Sequence, residues 1–252
     1  MLGKLFKHEM KATARMFVPL YAIFFALALF TKGIAELNKV LENMLGSLSF
    51  FSVALFVIAA LGMLIITLIV MVVRFYRNLA KDEGYLSHTL PVTPWQHVLT
   101  KLFAGVIWQI ASITALLCGL IIALYNPNIW ADIKMYYDNV QIFFTQMPLA
   151  MLVAMLILSL VSYLLMFFAA VSLGQISARH KLGMSFLMWL ILYVISQIFS
   201  SIITLPIVLL NIDNLDTMVS SMLWLSLGLQ LIMAIAYFTT ASVALKRKLN
   251  LE

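Results

Sequence analysis

The sequence predicts an all-α, polytopic integral membrane protein with six transmembrane helices. Of its 252 residues, 64% are hydrophobic and 10% are charged, and the mean hydropathy is +1.05. Soluble domains are about 45–50% apolar and about 25% charged, so an aqueous fold could not bury this much apolar surface. Six long stretches also lack Asp, Glu, Lys and Arg, side chains that are costly at the bilayer centre. We therefore expect a single transmembrane domain over residues 1–252.

The uncharged stretches define the six predicted spans. A helix of about 20 residues crosses the hydrocarbon core of a bilayer. The first uncharged stretch is short for a membrane span. We therefore expect Arg15 and Lys32, at its ends, to extend their charged groups toward the membrane surfaces. On this basis the spans lie approximately at 16–35, 49–73, 102–125, 148–174, 183–210 and 218–245.

Residues 1–15 have the pattern of an amphipathic N-terminal helix. With 3.6 residues per turn, its basic side chains form one stripe and apolar side chains lie opposite; the basic residues are Lys4, Lys7, Lys11 and Arg15. The pattern predicts an interfacial helix that anchors the chain, or binds a specific lipid, and turns near Pro19 into the first span. Glu9 falls in the apolar arc, which predicts an ion pair with another part of the protein.

The distribution of basic residues predicts the orientation. Of the 16 Lys and Arg residues, all but Lys32, Lys39 and Lys134 lie beside span ends that share one side of the membrane. The positive-inside rule places that side, with both termini, in the cytoplasm. This topology accounts for the net charge of +6, so we expect membrane lipids and no nucleic acid as partners.

Residues 74–101 form the one sizeable cytoplasmic loop, and it has ordered features. Thr93-Pro94-Trp95-Gln96 combines a capping residue, a proline at the first helical position and a glutamine three residues after the cap, which predicts a helix start. A second short helix is predicted near Asp82 and Glu83. Its projecting side chains either bind a cytosolic partner or pack on the membrane ends of neighbouring helices. These side chains belong to Tyr85, Leu86, His88 and Leu90.

Several motifs of enzymes and ion-driven carriers are missing from the sequence. There is no GxxxxGK[ST] phosphate-binding loop, and the four histidines lie outside the spans without metal-ligand spacing. No Asp, Glu, Lys, Arg or His lies deep in a span, which argues against proton- or ion-coupled transport. We therefore expect no catalytic residues, no metal site and no enzyme activity in this chain.

The fifth span has one polar face. Tyr193, Gln197, Ser200 and Thr204 recur at spacings of 4, 3 and 4, which places them on one side of a helix. The face either lines a translocation path or packs against another helix through modest hydrogen bonds. In the fourth span, the small residues Ala170, Gly174 and Ala178 predict close helix packing.

Two segments resemble a known family. The loop DEGYLSHTLPVTPWQHVLTKL, preceded by an N-terminus reading LFKHEMKATARMFVPLY, resembles permease subunits of ABC-2 type ATP-driven exporters of Gram-positive bacteria. The resemblance implies that Asp82 to Leu90 form a coupling helix that docks on a separate ATP-binding subunit. It also implies that residues near Glu9 contact that subunit, which would carry the ATP and Mg²⁺, leaving no cofactor on this chain.

The resemblance further implies a second permease subunit, identical or different, and a location in the bacterial plasma membrane. The expected function is export of an amphiphilic substrate such as a peptide, lipid or drug. One departure concerns the region between spans five and six, where relatives often have re-entrant helices; here such an element would require span five to break at Pro206. The alternative function is a non-transporting scaffold or sensor-associated subunit that holds a cytosolic partner.

Overall fold

In the residues that it describes, the computed structural model of the protein has six long α-helices. It describes residues 2–42, 44–80, 93–124, 134, 149–175, 180–210 and 215–247, and these parts contain no β-strand. In chain order the helices are α1 (Leu2–Val40), α2 (Gly46–Ala80), α3 (Pro94–Leu124), α4 (Leu149–Gly174), α5 (Lys181–Leu210) and α6 (Leu215–Arg247).

All six helices are long and apolar enough to cross a membrane. Large apolar side chains lie exposed along them; Phe50 and Ile58 of α2, for example, are 79% and 66% exposed. In water such surfaces would cause association, whereas the hydrocarbon of a bilayer is as apolar as the side chains themselves. The chain is a multi-pass, membrane-embedded helical protein, which confirms the predicted fold class.

The predicted spans agree with these helices. Each span falls on one helix, apart from residues 125 and 148, which lie outside the described residues. α5 continues through Pro206 to Leu210. The break at that proline, which a re-entrant element would need, does not occur within this helix.

The first helix differs from the sequence-based expectation. α1 runs without interruption from Leu2 to Val40 and contains Pro19, so the predicted turn at that residue is wrong. Proline cannot donate a backbone hydrogen bond, but membrane helices tolerate it where neighbouring groups satisfy the freed carbonyl. At 1.5 Å per residue, α1 is about 58 Å long and exceeds the ~30 Å hydrocarbon core. The interfacial position of residues 2–15 stays a prediction.

The helices group into two packed units. The first comprises Gly3–Val70 and Ile107–Val140, and therefore most of α1 and α2 with the later part of α3. The second comprises Met1–Leu2, Met71–Val106 and Gln141–Glu252, which include α4, α5 and α6. The expectation of a single domain stays a prediction.

Aromatic and small side chains form the core of the first unit. The rings of Phe24 and Phe56 stack with their centroids 5.3 Å apart. Gly119 of α3 lies so close to Phe24 that a β-carbon added there would collide with the ring. Small residues allow helix backbones to approach closely. The other buried members of this core are Ala28, Ala60, Met63, Ala115 and Ala123.

In the second unit, α4 packs against both α5 and α6. A β-carbon added to Gly174 at the end of α4 would lie 2.6 Å from the Cα and the backbone nitrogen of Ser185 in α5. The two backbones therefore meet at a residue without a side chain, which confirms the close packing predicted at Gly174. Ala170 is buried, and Ala178 lies outside the described residues.

Candidate functional site

The second unit contains a cavity of about 240 Å³ between α4, α5 and α6. Its wall combines aromatic rings and methionines with hydroxyl and amide groups, an unusual mixture in helices that are otherwise apolar. The lining residues are Ser159, Ser162, Tyr163 and Met166 of α4, Tyr193, Ser196, Gln197, Ser200 and Thr204 of α5, and Ser226, Leu229, Gln230, Met233 and Tyr237 of α6.

All four residues of the polar face predicted on α5 line this cavity. They are Tyr193, Gln197, Ser200 and Thr204, and their spacing brings them to one side of the helix. The Tyr193 ring is held by stacking on Trp189 of the same helix, with the centroids 5.9 Å apart. Their use in translocation or in helix packing stays a prediction.

Several hydroxyls of the cavity wall donate to backbone carbonyls of their own helices. Ser159 donates to the carbonyl of Leu156 at 2.8 Å, and Ser196 donates to that of Tyr193 at 2.7 Å. Thr204 and Ser226 make equivalent bonds, to Ser200 and Leu223, at 2.9 and 2.8 Å. A hydroxyl has one proton to donate and two lone pairs that accept. These groups therefore present acceptors to whatever lies beside them.

Gln230 links two helices and carries a further acceptor. The Ser162 hydroxyl of α4 donates to the Gln230 backbone carbonyl of α6 at 3.0 Å. The Gln230 side-chain oxygen, Oε1, is shielded from solvent and has no hydrogen-bond partner among the described residues. A buried polar atom without a partner costs about 1–3 kcal/mol. Gln230 therefore contributes to the cavity wall while its side-chain oxygen lies packed away from the open space.

The described lining residues include no Asp, Glu, Lys, Arg, His or Cys. Over the described part of the chain, no group of three or more such metal-ligating side chains comes together. A site with this lining can bind and orient a molecule through neutral hydrogen bonds and apolar contacts.

The predicted coupling residues of the cytoplasmic loop lie outside the described residues: Asp82, Glu83, Tyr85, Leu86, His88 and Leu90. The end of that loop is described, and there the predicted helix start is confirmed. The Thr93 backbone N–H donates to Gln96 Oε1 at 3.0 Å, and the Gln96 N–H donates to the Thr93 carbonyl at 3.0 Å. α3 accordingly begins at Pro94 with a capped first turn.

The other predicted coupling residue, Glu9, lies in α1. It is half-buried, and its backbone carbonyl accepts a hydrogen bond from the Thr13 hydroxyl at 2.8 Å. A partly buried carboxylate is consistent with the ion pair expected from its place in the apolar arc. Its contact with an ATP-binding subunit stays a prediction.

The sequence predicted the polar face of α5 but not the faces of α4 and α6 that complete the cavity wall. The signal was present on α6, where Ser226, Gln230, Met233 and Tyr237 repeat the 4, 3, 4 spacing of the α5 face. Met233 in that series obscured the pattern, because methionine is an ordinary core residue.

Comparison with family models, with curated proteins and with solved structures gave no match for this chain.

Proposed function

We propose that this chain is the transmembrane subunit of an ATP-driven exporter of the ABC-2 type. It would move an amphiphilic substrate across a bacterial plasma membrane, using ATP hydrolysed by a separate ATP-binding subunit. The observation that carries the proposal is the cavity between α4, α5 and α6, where neutral polar groups line a partly open space between membrane-spanning helices. Polar residues within a membrane protein face its interior or a substrate path more often than lipid.

The lining of the cavity favours an amphiphile over a small ion. Ion carriers and pumps place carboxylates or histidines within the membrane, and the described lining residues include none. Aromatic rings and methionines such as Tyr163, Met166 and Met233 offer adaptable apolar contacts. The hydroxyl and amide groups beside them would hold a polar head group.

The coupling step is assigned to the loop between α2 and α3. Asp82, Glu83, Tyr85, Leu86, His88 and Leu90 would dock on the ATP-binding subunit, together with residues near Glu9. The capped start of α3 supports this role, because a firmly ended helix transmits a displacement that a slack loop would absorb. A motion at the ATP-binding subunit would then reach α2 and α3 directly.

The remaining parts of the complex follow from the same proposal. ATP and Mg²⁺ would be bound by the partner, and two permease subunits, identical or different, would pair in the membrane. Both termini would be cytoplasmic. The basic N-terminal residues of α1, which are mostly exposed, would then meet the anionic head groups of the cytoplasmic leaflet.

Purification of the native complex tests the proposal. The chain, tagged and solubilised from its own membrane in mild detergent, should co-purify with a protein that contains a phosphate-binding loop, and the complex should hydrolyse ATP. Leu86→Asp should abolish co-purification, because it puts a charge into the proposed apolar contact. The matched control, Asn211→Asp in the predicted external connection, should leave it intact.

Other outcomes of this purification have defined meanings. Wild-type chain that captures no ATP-binding subunit contradicts the exporter. A stable complex with such a subunit that hydrolyses no ATP and moves no amphiphile in reconstituted vesicles would instead indicate a scaffold.

A further inference from the structure

Helix α5 has an unusually exposed surface for a membrane-spanning helix that packs in a bundle. All of its residues are described, and only Ser185 at its start is buried. No residue of its spanning window is buried, whereas 28% of the corresponding window of α4 is. Much of the exposed surface is apolar, as at Ile195 and Ile202, and suits contact with lipid.

One side of α5 is both exposed and polar. Tyr193, Gln197 and Ser201 are spaced by four residues, which places them on successive turns of the same side of the helix. Tyr193 is 39% exposed, and Gln197 and Ser201 are exposed as well. Tyr193 and Gln197 also line the cavity, so these three residues, the exposed stripe, run along its edge.

Gln197 is the residue of the exposed stripe that lipid accommodates least well. At 1.5 Å per residue it lies about 24 Å along the helix from Lys181 and about 20 Å from Leu210, well inside a hydrocarbon core of ~30 Å. Its carboxamide makes no hydrogen bond with the described residues. An amide without a partner is costly in hydrocarbon, and the polar groups of phospholipids lie at the membrane surfaces rather than at this depth.

A second copy of the chain would supply the missing partner at the right place. A carboxamide has N–H donors and an acceptor oxygen, so two glutamines related by a twofold axis can each donate to the other. An axis along the membrane normal keeps every residue at its own depth, and it makes the interface self-complementary. Gln197 of one copy therefore meets a group that matches it in both chemistry and depth.

The neighbours of Gln197 permit such an approach. Ser201, one turn away, is small, and small residues allow helix backbones to come close in membranes. Exposed apolar side chains, those of Leu190, Val194 and Ile198, flank the stripe and would pack against the same side chains of the second copy. The two α5 helices would thereby exchange contact with lipid for contact with each other.

We propose that the chain forms a parallel twofold homodimer in which α5 packs on α5 along the exposed stripe and the two Gln197 carboxamides hydrogen-bond to each other. The pairing would cover the edge of the cavity in each copy. As the identity of the second permease subunit, the inference rests on the proposed function. As an association of two chains, it does not, and it can be measured on the chain alone.

Disulfide crosslinking in native membranes locates the interface. Two differently tagged copies are co-expressed in a Cys118→Ser background, with one cysteine introduced into both. Tyr193→Cys and Ser201→Cys, which keep Gln197, should form an oxidised species of about twice 28.4 kDa that carries both tags. Ile195→Cys and Ile202→Cys are the controls, because they are 55% and 65% exposed in the native chain but lie on the opposite side of α5. They should crosslink several-fold less.

Energy transfer in liposomes measures the strength of the association. The purified full chain is labelled with a donor or an acceptor dye and diluted with lipid, without ATP or any partner. Gln197→Leu should raise the dissociation constant of the dimer about tenfold, and Gln197→Asn, which keeps a carboxamide, should raise it less. Gln230→Leu makes the same substitution on α6, where the side-chain oxygen is shielded, and should leave it unchanged. Monodisperse elution and helical circular dichroism check that each variant is folded.

The proposal is overturned if the wild-type chain stays monomeric at every lipid dilution, or if Gln197→Leu associates as tightly as the wild type. Equal crosslinking at Ile195→Cys and Ser201→Cys would also overturn it, as would a crosslinked species that joins one tagged copy to a different protein. The exporter has a separate test. A dimer that captures no ATP-binding subunit contradicts the exporter alone, whereas a monomeric chain within an active ATP-hydrolysing complex contradicts the homodimer alone.

Discussion

Buried polar side chains in the first unit satisfy one another or the helix backbone. Trp108 Nε1–H donates to the Thr13 hydroxyl oxygen at 2.8 Å, and that hydroxyl in turn donates to the Glu9 carbonyl at 2.8 Å. The Tyr21 and Ser112 hydroxyls lie 2.8 Å apart, and Thr67 lies 2.8 Å from the same serine. These bonds tie α1 and α2 to α3 at positions where water cannot compete for the polar atoms.

We predict that Trp108→Phe destabilises the protein modestly. The change removes the N–H that Thr13 accepts but keeps an aromatic ring beside Phe17, whose centroid lies 4.6 Å from that of Trp108. Hydrogen bonds between membrane helices contribute about 0.6 kcal/mol on average and up to about 1.7 kcal/mol. The substitution should therefore lower the free energy of unfolding by an amount in this range.

Unfolding by SDS in mixed micelles measures this change. Trp224→Phe is the matched control, because Trp224 is 67% exposed on α6 and its loss should have little effect. Equal destabilisation by the two variants would show that the Trp108 hydrogen bond contributes nothing specific.

Contacts between whole helices depend on a few small residues. Gly174 and Ser185 bring the end of α4 against the start of α5. Gly105 of α3 similarly receives Leu164 of α4, whose nearest carbon would lie 3.0 Å from an added β-carbon. Backbones meet closely only where side chains do not intervene.

We predict that Gly174→Ala destabilises the protein by about 1–3 kcal/mol, because the added methyl group overlaps backbone atoms of α5 that cannot rotate away. The thermal unfolding midpoint in detergent should fall accordingly. Gly183→Ala is the control on α5: among the described residues no atom lies within 4 Å of its added β-carbon, and alanine favours a helix by about 1 kcal/mol over glycine. A variant at Gly174 as stable as the one at Gly183 would contradict the close approach.

At the scale of the whole molecule, the orientation in the membrane is a prediction from charge alone. The connection after α1 is predicted outside and the start of α5 inside the cell. Cys118, the chain's single cysteine, can be replaced by serine to give a cysteine-free background for labelling. Leu41 and His180 are exposed and suit the introduction of one cysteine on each predicted side.

In intact cells, a membrane-impermeant maleimide should label Leu41→Cys and not His180→Cys. Inverted membrane vesicles should give the opposite result, because the positive-inside rule places the basic connections in the cytoplasm. Labelling of both positions in intact cells, or of His180→Cys alone, would contradict the predicted topology. Permeabilised cells, in which both react, control for accessibility.

The sequence by itself determined that six stretches of the chain form helices long and apolar enough to span a membrane. In a bilayer every backbone group must be satisfied within its own helix, so a long uncharged apolar stretch has few alternatives to a spanning helix. The capped start at Thr93 and the polar face of α5 could also be predicted from the sequence, because both depend only on the spacing of residues close together in the chain.

Only the tertiary structure decided which helices lie opposite the polar face of α5. The series on α6 contains a methionine, and the lining residues of α4 do not repeat the 4, 3, 4 spacing, so neither indicated that its face would join α5 around a cavity. The continuity of α1 through Pro19 also depends on its surroundings, which determine whether a missing backbone donor can be tolerated. Helix formation in a membrane is a local matter, whereas the choice of neighbours depends on close packing between helices distant in the chain.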